Sequence, residues 1–298
     1  MKLVLGLFGL ENFYGGDISS LIEISQMGEE LGFDSVSVTD HVVMGKNLHK
    51  YPFGKFPLPS EAPWYEPLSL LTMIASNTTN IKLATAVLIA PLRNPALLAK
   101  TTATIDSISK GRLELGVGLG WQKEEFDTAG LSFENRDEIF WETLDICKLL
   151  WEDSPISFHG KYFNFDDIWC HPQPPQGKDL PLLFGLKMTP ENASRIARVG
   201  HGWIPIKTSR DFISEGKQIL SEAFINAGRK DQPRIRGQLP TCVDEGGLPN
   251  IQLTLKEIEK SMAAGLDEVE VFPINFVQGP EDIYKVLKLI SEVKNNGK

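Results

Sequence analysis

The sequence is poor in cysteine, with three cysteines in 298 residues. No two of them stand at C-x-x-C spacing, and their number is odd, so neither a disulfide framework nor a zinc ribbon organises the fold. We therefore expect a reduced, cytoplasmic protein. The three residues are Cys147, Cys170 and Cys242.

Acidic residues outnumber basic ones, 39 to 30, and the chain has no long apolar run. The formal net charge is −9 and the pI about 5.2. Because an acidic surface repels a phosphate backbone, no nucleic-acid partner is expected. No apolar run reaches the ~20 residues of a membrane span, so no membrane association is predicted. The apolar start, residues 2–8, is not followed by a small-residue cleavage site, which favours a first strand over a signal peptide.

Two catalytic signatures are missing. The sequence has neither the H-E-x-x-H spacing of a zinc hydrolase nor the G-x-S-x-G turn of a serine hydrolase. Its five histidines do not form a spaced ligand set, so we predict no metal site. They are His41, His49, His159, His171 and His201.

What the chain does contain is a regular alternation of strand and helix patterns. Strand-then-helix pairs predict an α/β protein with a parallel sheet, and eight such pairs predict one (β/α)8 TIM-barrel domain over residues 1–298. A doubly wound sheet is the alternative, but its G-x-G-x-x-G motif would follow the first strand, whereas G-x-G-x-G follows the fourth here. The predicted strands are residues 2–8, 33–38, 81–88, 112–117, 181–185, 201–205, 234–240 and 268–273.

Two long segments interrupt the alternation and predict insertions after strands 2 and 4. Residues 42–66 are rich in proline and aromatic residues. Loops of this length are typically functional or disordered, and the aromatic content favours an ordered lid. Residues 153–180 contain a hairpin pattern at 157–165 and then an extended run restricted by prolines.

Residues 93–121 are the most clearly punctuated stretch. Asn94 and Pro95 are typical of a helix start. The strand after this helix ends in a glycine run and an aromatic residue: Gly116, Gly118, Gly120 and Trp121. These glycines either let a flat ligand approach the backbone or only turn the chain.

The carboxyl ends of the strands, where the active site of a barrel lies, carry two candidate sites. The first is Asp40 and His41 after strand 2, since a histidine moves protons near neutral pH and a carboxylate can orient it. Neighbours on an extended backbone point to opposite sides, so we do not assume that the two touch. The alternative is a structural histidine at a strand end.

The second candidate is the turn at 185–189, which precedes a helix beginning at Pro190. Free N–H groups at a helix start suit a phosphate, and Lys187 adds positive charge. The alternative is an ordinary turn with a solvated lysine. We expect a third group of charges, Glu124, Glu125 and Asp127, to form a solvated helix turn rather than to supply catalytic acids.

Several segments, in order along the chain, resemble the luciferase-like monooxygenase superfamily, and most of all its F420-dependent oxidoreductases. They are VTDH at 38–41, LATAVLIAPLRNPALLAKTTATIDSISKGRLELGVGLGW at 83–121, EEF at 124–126, the HGKYFNF hairpin with PQPPQ after it, and HGWIP at 201–205. The resemblance covers most of the chain and is weakest after residue 210.

The resemblance implies a flavin or deazaflavin at the carboxyl ends of the strands, with F420 as the expected cofactor and FMN as the alternative. It implies that His41 is a proton donor or acceptor, and that a non-prolyl cis peptide lies behind the cofactor ring. The implied cofactor contacts are Asp40, His41, Ala86, Val87, Leu119, Gly120 and Trp121 at the ring, and Gly185, Leu186, Lys187, Met188 and Thr189 at the phosphate.

Two positions depart from the family pattern. Trp121 stands where some F420-dependent sugar-phosphate dehydrogenases have a catalytic glutamate, so their acid chemistry does not carry over. Gly185 and Leu186 stand where many relatives have two glycines, which weakens the assignment of cofactor type.

The predicted activity is hydride transfer between F420 and a small organic substrate. The first alternative is an FMN-dependent monooxygenase that uses oxygen and reduced flavin. The second is a non-catalytic cofactor-binding protein on the same scaffold. A flavin or F420 reductase and a second copy of the chain are the expected protein partners.

Overall fold

The computed structural model describes residues 1–56 and 58–296. Its strands are β1 (Lys2–Gly6), β2 (Ser35–Val38), β3 (Lys82–Thr85), β4 (Leu88–Ile89), β5 (Leu113–Gly118), β6 (Ile156–His159), β7 (Asn164–Ile168), β8 (Leu182–Phe184), β9 (Gly202–Trp203), β10 (Arg234–Gln238) and β11 (Glu268–Val271).

The helices are α1 (Ser20–Glu30), α2 (Pro67–Asn77), α3 (Pro95–Ser109), α4 (Lys123–Thr128), α5 (Arg136–Glu152), α6 (Pro190–Val199), α7 (Arg210–Asn226), α8 (Ile251–Leu255), α9 (Ile258–Ala263) and α10 (Pro280–Asn296). Within the described part of the chain, no helix has both the length and the apolar character needed to cross a bilayer.

The parallel strands close into a barrel. The order is β3-β2-β1-β11-β10-β9-β8-β5, and β3 pairs with β5 to complete the ring. The strand β4 continues β3 beyond a break at Ala86–Val87 and also pairs with β5. The predicted (β/α)8 barrel is therefore confirmed, with β3 and β4 as two halves of its third strand.

The local signals around α3 act as the sequence predicts. The Asn94 side chain accepts hydrogen bonds from the N–H groups of Ala96 and Leu97 at 3.0 and 3.2 Å. The helix ends where Lys110 takes positive φ, 58°. One face of α3 is buried in the core, and the helix leads directly into β5, which is buried along its whole length.

The amino ends of the strands hold a buried cluster of charges. Arg236 is fully buried, its Nε donates to Glu268 at 2.7 Å, and its guanidinium also contacts Glu114. Arg234 donates to both carboxylates, at 2.9 Å to Glu114 and 2.5 Å to Glu268. Buried charges are tolerated only when they are paired in this way. This end of the barrel is therefore closed by ion pairs, and the opposite end is left for chemistry.

Candidate active site

The third barrel strand shapes the carboxyl end of the barrel. The peptide Ala86–Val87 is cis, as the family resemblance implies. A Cβ on Gly118 would lie 2.7 Å from Val87 Cγ2, and one on Gly185 would lie 2.8 Å from Val87 Cγ1. The Val87 side chain fills the space beside both positions, so a larger residue at either one would have to displace it.

Two more glycines in the run have separate reasons. A Cβ on Gly116 would lie 2.1 Å from the backbone oxygen of Thr85, so β5 and β3 meet too closely for a side chain. Gly120 has φ +74° and turns the chain toward α4. The packing of neighbouring strands therefore accounts for most of the run, and a chain reversal accounts for its last member.

His41 follows β2, and a buried carboxylate holds one side of its ring. His41 Nδ1 lies 3.1 Å from Glu125 Oε2, and Glu125 Oε1 accepts the N–H of Val42 at 2.9 Å. Glu125 is fully buried. The expectation that it lies in a solvated helix turn is therefore wrong.

A sequence signal for Glu125 did exist. Gln122, Glu125 and Phe126 are all buried, and their spacing, i, i+3 and i+4, places them on one face of a helix. An acid on the same face as a phenylalanine predicts a buried acid in need of a partner. That partner, His41, is 84 residues away in sequence.

Asp40 points away from His41, as expected of neighbours on an extended backbone. Arg93 Nη1 donates to Asp40 Oδ2 at 2.6 Å and Nη2 to Oδ1 at 3.1 Å. Oδ2 also accepts the N–H of Ile89 at 2.8 Å. Burial alone would lower the pKa of Arg93, but the hydrogen bond and charge of Asp40 outweigh burial and raise it. Asp40 thus holds the end of β2 against β4 through hydrogen bonds to Arg93 and to the amide of Ile89.

Aromatic rings from residues 42–66 surround the ring of His41. The centroid of Trp64 lies 4.6 Å from that of His41, edge to face, and Phe56 lies 5.9 Å away. Trp121 contacts His41 from the opposite loop, at 6.0 Å, and Tyr51 packs on Trp121 at 5.2 Å. His41 is only 9% exposed. Its ring therefore lies in an apolar cage that keeps most water away.

The loop after β5 also holds the start of the 42–66 segment. Gln122 accepts the backbone N–H of Gly45, and Glu124 accepts from the side chain of Asn47. With Glu125 on Val42, three side chains of one short stretch receive hydrogen bonds from residues 42–47. The two loops are therefore one hydrogen-bonded unit.

A cavity of about 30 Å³ lies beside this cage. Its lining includes Glu11, Thr39 and Trp64. Burial raises the pKa of Glu11 above its ordinary value. The Nε1 of Trp64 is buried and has no hydrogen-bond partner among the described residues. The cavity has about the volume of one water molecule, and most of the residues that line it are apolar.

The second predicted site, the turn after β8, leads into α6. Thr189 caps the helix by accepting the N–H of Asn192 at 3.2 Å, and Asn192 donates back to the Lys187 carbonyl at 3.0 Å. Leu186 and Met188 are buried, whereas Lys187 is exposed. Lys187 is thus the charged side chain that this turn presents to solvent.

The structure groups the predicted site residues in two clusters. His41 and Trp121 meet within the aromatic cage, while Val87 meets Gly118 and Gly185. Leu119 is partly buried and packs against the core. The contacts among described residues do not join Lys187 or Thr189 to His41.

Comparison with known proteins gives the family. The model of the luciferase-like monooxygenase family matches residues 4–247. The uncharacterized protein Rv0953c of Mycobacterium tuberculosis is 32% identical over 220 residues, covering 71% of this chain and 76% of that protein. An F420-dependent glucose-6-phosphate dehydrogenase of Kineococcus radiotolerans is 27% identical over 231 residues, covering 75% of this chain and 62% of that protein.

Solved structures share the fold along the whole chain. The monooxygenase RslO1 from Streptomyces bottropensis superposes with a TM-score of 0.81 at 19% identity, covering 100% of this chain and 99% of that one. A type II Baeyer–Villiger monooxygenase from Pseudomonas putida, in complex with FMN, gives 0.74 at 18% identity, covering 98% and 97%. The fold, the family match and the relatives lead to one conclusion: the chain belongs to the luciferase-like monooxygenase family of oxidoreductases.

Proposed function

We propose that this protein transfers a hydride between coenzyme F420 and a small organic substrate, with His41 carrying the accompanying proton. The observation that carries the proposal is the state of His41: one ring nitrogen faces the buried Glu125, and aromatic rings enclose the rest. A histidine held in this way is suited to proton transfer because its orientation is fixed and bulk water is kept away. The F420-dependent relative supports the choice of cofactor.

The residues present fit a flavin-like cofactor. Lys187 and the start of α6 would hold its phosphate, since a helix N-terminus and a cation both favour an anion. The cis peptide at Ala86–Val87 and the loop with Leu119, Gly120 and Trp121 would face its ring. The buried N–H of Trp64, which has no hydrogen-bond partner in residues 1–56 and 58–296, would be a donor for a polar group. When bound, the cofactor supplies the redox chemistry, and the protein supplies binding, orientation and the proton.

The 42–66 segment acts as the lid in this proposal. Its aromatic side chains Tyr51, Phe56 and Trp64 already cover His41 or Trp121. A covered site excludes water from a reactive reduced cofactor and from the proton carrier. The apolar cage favours an apolar or aromatic substrate.

An FMN-dependent monooxygenase is the second candidate function. Two departures from the F420-dependent pattern are compatible with this function: Trp121 in place of a catalytic glutamate, and the Gly185–Leu186 pair. The RslO1 and Baeyer–Villiger structural neighbours also support it. In that case oxygen would be a co-substrate, and a flavin reductase would supply reduced FMN. A non-catalytic cofactor-binding protein is the third alternative.

A binding titration distinguishes these functions. Purified protein is titrated with F420 and, separately, with FMN, each in oxidised and reduced form, and oxygen consumption is then measured during turnover. Tight F420 binding without oxygen consumption supports the proposal. Preference for reduced FMN with oxygen uptake supports the monooxygenase, and binding without any turnover supports the third alternative.

A further inference from the structure

The carboxyl group of Glu125 meets nitrogen atoms of two consecutive residues. One is the ring Nδ1 of His41, and the other is the amide of the next residue, Val42. Each faces a different oxygen of the same carboxylate. Glu125 is fully buried, so water does not compete for these bonds.

A carboxylate in this place determines which ring nitrogen carries hydrogen. A carboxylate accepts hydrogen bonds and donates none, so a carboxylate at position 125 pairs with the ring tautomer that carries hydrogen on Nδ1. No group of residues 1–56 or 58–296 hydrogen-bonds to the other nitrogen, Nε2, which is therefore the atom free to give or take a proton.

Glutamine cannot replace this arrangement, although it has the same shape. Its amide has one oxygen and one NH2 group. The oxygen can accept from one of the two donors, but the NH2 group would then face the other donor, and two donors cannot form a hydrogen bond. The Val42 amide cannot lose its hydrogen, whereas the ring of His41 can move its own from Nδ1 to Nε2. A glutamine would therefore accept from Val42, donate to Nδ1 and reverse the tautomer of the ring.

We propose that Glu125 is the positioning residue for His41, fixing the ring orientation and the Nδ1–H tautomer so that Nε2 meets the substrate. This rests on the proposed function, in which His41 moves a proton. During reduction, the Nε2–H bond of the imidazolium breaks and the proton joins the substrate. The ring is left neutral, with Nδ1–H still on Glu125. During oxidation, Nε2 of the neutral ring takes the proton instead.

The same carboxylate couples the proton carrier to the lid. Val42 is the first residue of the 42–66 segment, and its amide shares Glu125 with His41. One carboxyl group therefore contacts both the first residue of the lid and the ring of His41.

The experiment reads the tautomer of His41 directly. The ring nitrogens are labelled with 15N in the wild type, E125Q, E125D and D127N, and H41A identifies the His41 signals. Protonated and bare ring nitrogens differ in chemical shift. D127N is the matched control because Asp127 lies on the same helix and is exposed, and its side chain pairs with that of Lys123.

We expect the Nδ1–H tautomer in the wild type, D127N and E125D, and the Nε2–H tautomer in E125Q. We also expect kcat of E125Q to fall by about 100-fold, with E125D closer to the wild type. The dissociation constant of the cofactor should change less than about threefold, since Glu125 contacts the histidine rather than the cofactor.

Three outcomes overturn the proposal: an Nε2–H tautomer in the wild type, no change of tautomer in E125Q, or a reversed tautomer without loss of turnover. The wild-type spectrum shows whether Nδ1 of His41 carries hydrogen even if E125Q does not fold. The tautomer is measured without cofactor or substrate, so it tests Glu125 even where the proposed function fails. Turnover that needs His41 but not Glu125 would instead remove only the role of Glu125.

Discussion

Arg93 joins Asp40 to Glu66, and so connects the two ends of the 42–66 segment. Asp40 stands at the end of β2, and Glu66 caps α2 by accepting the N–H of Ser69 at 2.7 Å. Arg93 binds Asp40 through two hydrogen bonds and Glu66 through one at 3.0 Å. The segment that covers His41 thus starts and ends at residues joined by one guanidinium.

Removing this guanidinium should destabilise the protein. In R93M the side chain of Asp40, fully buried, loses its charged partner, and an unpaired buried charge costs about 3 kcal/mol. We expect the free energy of unfolding, measured by urea denaturation, to fall by that amount. K123Q, which breaks an exposed i,i+4 pair with Asp127, should change it by less than about 0.5 kcal/mol. Equal stability of the two variants would show that the ion pair of Arg93 with Asp40 does not stabilise the fold.

Gly118 and Val87 should show coupled effects on stability. In G118A the new methyl would collide with the Val87 side chain, and overpacking of this kind costs about 1–3 kcal/mol. In the double variant G118A/V87A the colliding atoms are gone. We expect its loss of stability to be smaller than the sum of the two single losses by about 1 kcal/mol. Additive losses in thermal or urea unfolding would show that the contact with Val87 is not the reason for a glycine at position 118.

Because of the buried charges at the amino ends of the strands, the free energy of unfolding should fall as the pH is lowered into the acid range. Burial alone would raise the pKa of Glu114, but the charges of Arg236 and Arg234 outweigh it and hold that pKa well below its ordinary value. A lowered pKa contributes stability above the unfolded value, about 4.3, and the contribution is lost as pH falls toward the folded value. E114Q should therefore be less stable at pH 7 and should lose less stability on acidification than the wild type.

A second buried acid provides the control for that measurement. Burial raises the pKa of Glu270, so its contribution is complete below the unfolded pKa and is lost as pH rises through the folded one. E270Q should consequently gain stability relative to the wild type as pH rises. Urea unfolding across pH distinguishes the two variants. The same sign of pH dependence in both would contradict the charge assignment.

The fold is predictable from the sequence because each of its elements is specified locally. Asn94 caps α3 with its own side chain, and the alternation of strand and helix patterns defines the barrel. The cis peptide at Ala86–Val87 follows from family resemblance rather than from local chemistry. Elements set by near neighbours in sequence can therefore be recognised from the sequence alone.

The candidate site is only partly predictable because its contacts join distant residues. Glu125 looks like a surface acid until the ring of His41 is placed against it. Gly118 looks like a ligand-approach glycine until Val87, on the neighbouring strand, fills the space. The oxygens of Asp40 bind Arg93 and the amide of Ile89, neither of which is near Asp40 in sequence, and its implied contact with a cofactor stays a prediction. In each case, the deciding partner lies far away in sequence.

The role of His41 as proton carrier is tested most directly by H41A. Turnover with the cofactor that the titration selects is measured beside the dissociation constant of that cofactor, in the wild type and the variant. We expect kcat to fall by about 10²–10⁴-fold in H41A, while the dissociation constant stays within about threefold. Wild-type turnover in H41A would show that His41 does not carry the proton.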